Sequence, residues 1–250
     1  MTAFIGEMLL ATLWVAIALR ATRDAPRWSR IASVVLALVG SAGLTLLGDP
    51  SASSLADVLR LCLLVIVYPL VWSAILPAGA GLWWAPRPLA QVLGSPIVAA
   101  FGTPVALMAY CFTPVWPWTV GHAGPLVMSY PVLFGVGLLL HAGLKGSGHA
   151  TTSIAIALQV LLSLGDLVID AVPGIVMRLS TDVIGASHWA HLPHALDNQS
   201  IAGAFLWAIA DVSDLPIIAL VFVRWMRADA EEARRIDAML DALEERPHEG

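Results

Sequence analysis

Most of this chain is divided into apolar runs of about twenty residues, separated by short polar connections, and that pattern leaves few folds open. A run of about twenty apolar residues crosses a ~30 Å hydrocarbon core as a helix. Lipid offers no hydrogen bonds, so a spanning segment must satisfy its own backbone, which a helix does. Seven such spans can be drawn, at 2–19, 31–48, 58–84, 95–113, 125–144, 151–176 and 200–224. The expected class is therefore all-α: a polytopic membrane protein with seven transmembrane helices. Composition agrees, since charged residues make up 12% of the 250 positions where a soluble domain carries about 25%.

Orientation follows from charge. The first cation, Arg20, comes after the first apolar run, so that run reads as a retained span with its N-terminus outside rather than a cleaved leader. The cytoplasmic connections then hold Arg20, Arg23, Arg27, Arg30, Arg87, Lys145, Arg224, Arg227, Arg234, Arg235 and Arg246, leaving Arg60 and Arg178 near the outer face; 11 and 2 account for all 13 basic residues. That is a positive-inside distribution, with the C-terminus cytoplasmic. Trp28, Trp83, Trp84 and Trp225 fall at the inner boundary and Trp116, Trp118 and Trp189 at the outer one, as interfacial belts prefer. The domains expected are 1–226, a seven-helix transmembrane unit, and 227–250, a cytoplasmic amphipathic helix and tail. Ile236, Leu240 and Leu243 form one stripe of that tail, which Pro247 ends. It reads either as a solvated extension of the last helix or as a docking surface. Pro69, Pro77, Pro104, Pro173 and Pro216 are expected to kink their helices, and Gly40/Gly43 and Gly135/Gly137 to permit close helix contacts.

Two groups of side chains could carry chemistry. Asp166 and Asp170 fall in the sixth span and Asp211 and Asp214 in the seventh. A charge at mid-membrane costs at least ~2.5–3.5 kcal/mol, so such residues face protein or water. They are either hydrogen-bonded carboxylates that hold helices together or a cation or proton site. The second group is soft: Asp57, Cys62, Met108, Cys111, His122, Met128, Met177, His188, His191 and His194 all map to the outer third or the outer loops. Thiolate, thioether and imidazole select Cu(I); the alternative is packing residues plus a solvated histidine loop. The two cysteines exclude a disulfide framework but leave one bridge or a soft-metal pair open. No phosphate loop, HExxH, Gly-x-Ser-x-Gly or CxxC occurs, and no basic patch suggests nucleic acid.

The most recognisable text is DNQSIAGAFLWAIADVSDLPIIALVFVRWMR, residues 197–227. Asp197, Gln199, Ala202, Gly203 and Trp207 before the last span, with Arg224, Trp225 and Arg227 closing it, resemble the CtaG family of caa-type cytochrome c oxidase assembly factors. Pro69 and Pro114 extend the likeness more weakly. The resemblance implies a non-enzymatic protein of the bacterial cytoplasmic membrane, in contact with lipid and with oxidase subunits, that helps copper reach the oxidase. The family's third span usually opens His-x-x-x-His, which aligns with Asp57 and Leu61. Its Trp-His falls at Cys111 and Phe112, and its histidines near the fifth span are absent around Leu126–Tyr130. Either a metal site has been rebuilt from neighbours such as Cys62 and Cys111, or the scaffold is kept without the metal. A small transporter or proton or cation channel using the four aspartates, and a structural subunit of a larger complex, are the competing readings.

Overall fold

The apolar runs become helices with few surprises in position. The computed structural model describes residues 2–21, 27–75, 95–141 and 153–244, with 86, 88, 91 and 92, and no strand occurs among them. The helices are α1 (Thr2–Ala21), α2 (Arg27–Thr45), α3 (Ser54–Cys62), a π-turn (Leu63–Val67), α4 (Tyr68–Ile75), α5 (Pro96–Cys111), α6 (Val115–Gly121), α7 (Ala123–His141), α8 (Ser153–Leu179), α9 (Ala186–Trp189) and α10 (Ala195–Glu244). Pro77, Trp83, Trp84 and Pro247 lie outside the described residues. Among the described residues, Ser54–Trp72 is long and apolar enough to cross a membrane, with a mean hydropathy of 2.0 and 61% of it buried. Val115–Gly121 and Ala123–Leu139 meet that condition only together, bent by 118°. The segment read as a connection at 114–124 is thus mostly a short helix folded against α7.

Ser54–Ile75 is the central column. It packs through α3 on α10, through the π-turn on α7, and through α4 on both α2 and α7. The π-turn has a local cause: Pro69 has no N–H for the Val65 carbonyl one turn back, and the helix widens just before it, with the Tyr68 N–H reaching Leu63. Gly137 of α7 sits against that turn, where a Cβ would lie 2.6 Å from the Val65 carbonyl oxygen. Deeper in the bundle, Trp14 packs on Phe134 at 4.5 Å and edge-on to Tyr68 at 5.1 Å between ring centres. The Tyr68 hydroxyl donates to the Gly40 carbonyl at 2.9 Å, and a Cβ on Gly40 would strike the Trp14 ring. Gly40, Gly43 and Gly137 are therefore close-contact glycines as expected, while Gly135 meets nothing within 4 Å.

The most extensive helix pair is α8 on α10. Here the approach is backbone on backbone: a Cβ on Gly174 would lie 2.6 Å from the Gly203 carbonyl, and one on Gly203 would lie 2.5 Å from the Gly174 carbonyl. Pro104, Pro173 and Pro216 all lie inside continuous helices. α10 runs unbroken from the last-span motif into the tail, whose residues 229–241 are exposed.

Candidate functional site

Polar chemistry gathers at one end of the bundle, where α3 begins, α5 ends, and α6, α7 and the 180–194 loop meet. Its centre is an ion pair that the sequence reading divided between two groups. Asp57 and Arg60, one turn apart on α3, are 0% and 2% exposed. Arg60 Nε donates to Asp57 Oδ1 at 2.8 Å, and Nη2 also contacts that oxygen. Nη1 donates to Ser129 Oγ at 2.7 Å, and Ser129 in turn donates to the Leu126 carbonyl at 2.6 Å. The guanidinium lies 4.7 Å from the centre of the Tyr130 ring, with Tyr110 beside it. The second Asp57 oxygen accepts from Trp116 Nε1 at 2.6 Å. Removing two charges from water costs several kcal/mol per ion, repaid only by close geometry with the remaining donors and acceptors satisfied. Both carboxylate oxygens are engaged here, and the cation has two acceptors and a ring face.

The loop is fastened onto this centre. Trp116 and Trp189, both buried, pack at 5.7 Å between ring centres. Their burial corrects the belt assignment for these two, whereas Trp118 is exposed as a boundary tryptophan would be. Gly185 supplies the left-handed turn (φ 70°) that starts α9. From α10, Gln199 accepts the Ile184 N–H at 2.6 Å and donates to the carbonyls of Met177 and Asp182, each at 3.1 Å. One buried amide thus satisfies backbone groups of the α8 terminus and of the loop. Within the last-span motif, Gln199, Ala202 and Gly203 are buried, while Asp197 and Trp207 are exposed.

A cavity of about 630 Å³ opens beside the loop, lined among others by Cys111, Thr113, Trp118, His122, Ser187 and His188. Each histidine has one nitrogen on a backbone carbonyl: His122 Nδ1 on Trp118 at 2.7 Å, and His188 Nε2 on Ser51 at 3.0 Å. A carbonyl only accepts, so those nitrogens are the donors in these bonds. His191 lies exposed, its ring 6.1 Å from that of His188. His194 is exposed beside Asp197 at 3.5 Å.

The remaining soft candidates disperse. Cys62 and Cys111 are buried, free thiols, with Cys111 within electrostatic range of Cys62 and Asp57. Met177 is buried in the core, whereas Met108 and Met128 face outward. Among the described residues no three His, Cys, Asp or Glu side chains converge as a ligand set. These donors do not fit a resident copper ion. Of the aspartates, Asp170 and Asp214 are buried and Asp211 is partly so. Asp211 Oδ1 and Asp214 Oδ2 are buried without a hydrogen-bond partner among the described residues. The Asp166 side chain lies outside them, as do His141 and His149.

Arg60 is the site residue that sequence reasoning missed. Its signal was an Asp-x-x-Arg pair, at helical contact spacing, in an otherwise apolar run. Of the positions where the CtaG likeness expects histidines, Asp57, Leu61, Phe112 and the stretch Leu126–Tyr130, this structure brings Asp57, Ser129 and Tyr130 onto the Arg60 guanidinium. No curated protein and no solved structure matches the chain significantly. The model of one family, the cytochrome c oxidase caa3 assembly factors, matches residues 11–228, with the ion pair, the loop and Gln199 inside the match. The chain belongs to that family, Caa3_CtaG.

Proposed function

We propose that this protein is a membrane-embedded, non-enzymatic assembly factor for cytochrome c oxidase, working from the bundle end that carries the cavity and the 180–194 loop. The family match over residues 11–228 carries this reading. Seven spans in the bacterial cytoplasmic membrane, with that end outside, are supported by the division of basic residues, 11 to 2. Copper enters the proposal as cargo, met by His122 and His188 at the cavity. Oxidase subunits are the proposed partners, and nothing in the chain suggests nucleic acid. The test is affinity purification in mild detergent with metal analysis of the same sample. Co-purification of an oxidase subunit is expected; its absence, together with no copper, overturns the reading.

The buried, unpartnered oxygens of Asp211 and Asp214 favour a second reading, a small proton or cation pathway along α8 and α10. Asparagine at Asp166, Asp170, Asp211 and Asp214 together should then abolish ion flux in liposomes. Unaltered flux removes that reading.

A further inference from the structure

We propose that residues 229–241 of α10 are a docking face for a second membrane protein, and that the segment they receive is a basic amphipathic helix continuing from a transmembrane span on the cytoplasmic side. The proposal goes beyond the assembly-factor reading and rests on the orientation given with it. The tail is helical, continuous with the last span, and exposed from 229 to 241. Ile236, Met239 and Leu240 recur at three- and four-residue spacing, so they share one helix face, and they are 52%, 66% and 53% exposed. Single exposed apolar side chains need no explanation, whereas a contiguous stripe rimmed by polar residues marks an interaction surface.

Charge decides what covers the stripe. Residues 229–241 hold five acidic and two basic side chains, a net charge of −3. Successive helical residues turn by about 100°. Glu232 and Asp229, four and seven residues before Ile236, therefore lie in line with the stripe, and Asp237 flanks it beside Leu240. Arg234 and Arg235 are turned about 160° and 100° away from Ile236, and Arg234 donates to the Ala230 carbonyl at 3.0 Å. The face that presents the apolar stripe is thus acidic. A second copy of this chain would bring acidic face to acidic face, with its arginines turned away. The cytoplasmic leaflet is itself negative, and helices that lie on it carry Lys and Arg. The surface fits instead a protein helix whose apolar stripe is flanked by Lys or Arg. Membrane proteins concentrate those residues within about 15–20 residues of their span ends on the cytoplasmic side. Residues 229–241 begin just past Arg227 and run about 18 Å along the helix, in that same layer.

The experiment places the purified full chain in nanodiscs of zwitterionic lipid. It measures binding of a labelled helical peptide with a leucine stripe flanked by lysines, against a twin with glutamates in their place. The lysine peptide should bind, more weakly as salt rises, and the glutamate peptide should not. Ile236→Ser/Leu240→Ser, both in the exposed tail and outside the core, should weaken the lysine peptide by about tenfold or more. Glu232→Lys/Asp237→Lys should weaken it similarly and gain the glutamate peptide. Absence of binding overturns the proposal, and so does lysine-peptide binding that survives Ile236→Ser/Leu240→Ser, which would be charge attraction alone. Two other occupants overturn it as well: a dimer of the chain that Ile236→Ser/Leu240→Ser dissociates, or slower hydrogen exchange at 229–241 when the disc lipid is made anionic. Co-purification of an oxidase subunit without peptide binding removes only the docking face. Peptide binding by a chain that yields neither oxidase subunit nor copper removes only the assembly-factor reading.

Discussion

Replacing Gln199 with leucine should loosen the 180–194 loop far more than the loss of one side chain suggests. Leucine approximates the volume of glutamine, so packing against α8 changes little while all three hydrogen bonds disappear. The Ile184 N–H loses its acceptor at 2.6 Å, and the carbonyls of Met177 and Asp182 lose their donor at 3.1 Å. These groups differ in exposure. Asp182 is exposed, so water replaces its lost bond at small cost, whereas Met177 is fully buried and Ile184 half-buried. An orphaned buried group costs about 1–3 kcal/mol, so the total is roughly 2–4 kcal/mol, paid by opening of the loop. Near 3 kcal/mol, loop opening becomes about a hundredfold more frequent. Hydrogen exchange at the Ile184 amide reads that population directly, and limited proteolysis between residues 180 and 194 reads it independently. Gln199→Glu should be no better: a carboxylate still accepts from Ile184 but faces two carbonyls with no proton to give. Wild-type exchange at Ile184 and an unchanged cleavage rate in Gln199→Leu would refute this account of the motif.

Three further outcomes are expected. Arg60→Leu should lower unfolding stability by about 3–5 kcal/mol by stranding Asp57, whereas Asp57→Leu/Arg60→Leu should recover most of that loss; thermal unfolding in detergent as a double-mutant cycle checks it, and equal losses in both proteins would contradict it. Gly203→Ala places a methyl group 2.5 Å from the Gly174 carbonyl and should cost about 1–3 kcal/mol or more, while Gly135→Ala should be neutral in the same melt. Hydrogen bonds from the Ser51 hydroxyl and N–H hold the Asp49 carboxyl below its ordinary value. A depressed carboxyl contributes stability that is complete above its unfolded value and lost as pH falls through its folded one. Asp49→Asn should therefore lower stability slightly at neutral pH, leave it nearly unchanged in strong acid, and so flatten the small loss otherwise seen below about pH 4, as melts across that range would show.

The helices were legible because burial in lipid or protein demands long apolar runs, and those runs are unmistakable here. The start of the central column was not. Asp57 looked like the polar end of a connection, so the third span was begun at Val58, yet α3 starts at Ser54 and takes Asp57 inside. A carboxylate can enter there because Arg60 neutralises it one turn later. Read one residue at a time, Asp57 joined the soft ligands and Arg60 joined the outer-face cations, two halves of one feature in different groups. Trp116 and Trp189 misled in a related way: an amphipathic ring at a span end reads as a boundary residue unless its N–H is known to be needed inside. Gly174 carried no signal of its own, since its contact lies across two helices; only the register of α8 on α10 reveals it.

That register also changes what the last-span motif means. Gln199 ties the loop to α8, Ala202 is buried, and Gly203 allows α8 and α10 to touch backbone to backbone. These three are requirements of the scaffold, and any chain with this helix pair would need them whatever it assembled. Asp197, 78% exposed, and Trp207, 38% exposed, are under no such constraint. Trp207 contributes its backbone and Cβ to the Gly174 contact, which leaves the indole face free of that duty. A motif shared with a family through its scaffold residues supports membership and fold; a shared activity has to be sought in the residues that the packing does not explain. In this chain those are Asp197 and Trp207 on α10, with His122 at the cavity, whereas His188 also ties the loop to the Ser51 carbonyl and packs on Trp189. Substitutions at those first three positions should change what the protein assembles while leaving its stability nearly untouched, the opposite of what Gln199 and Gly203 should do.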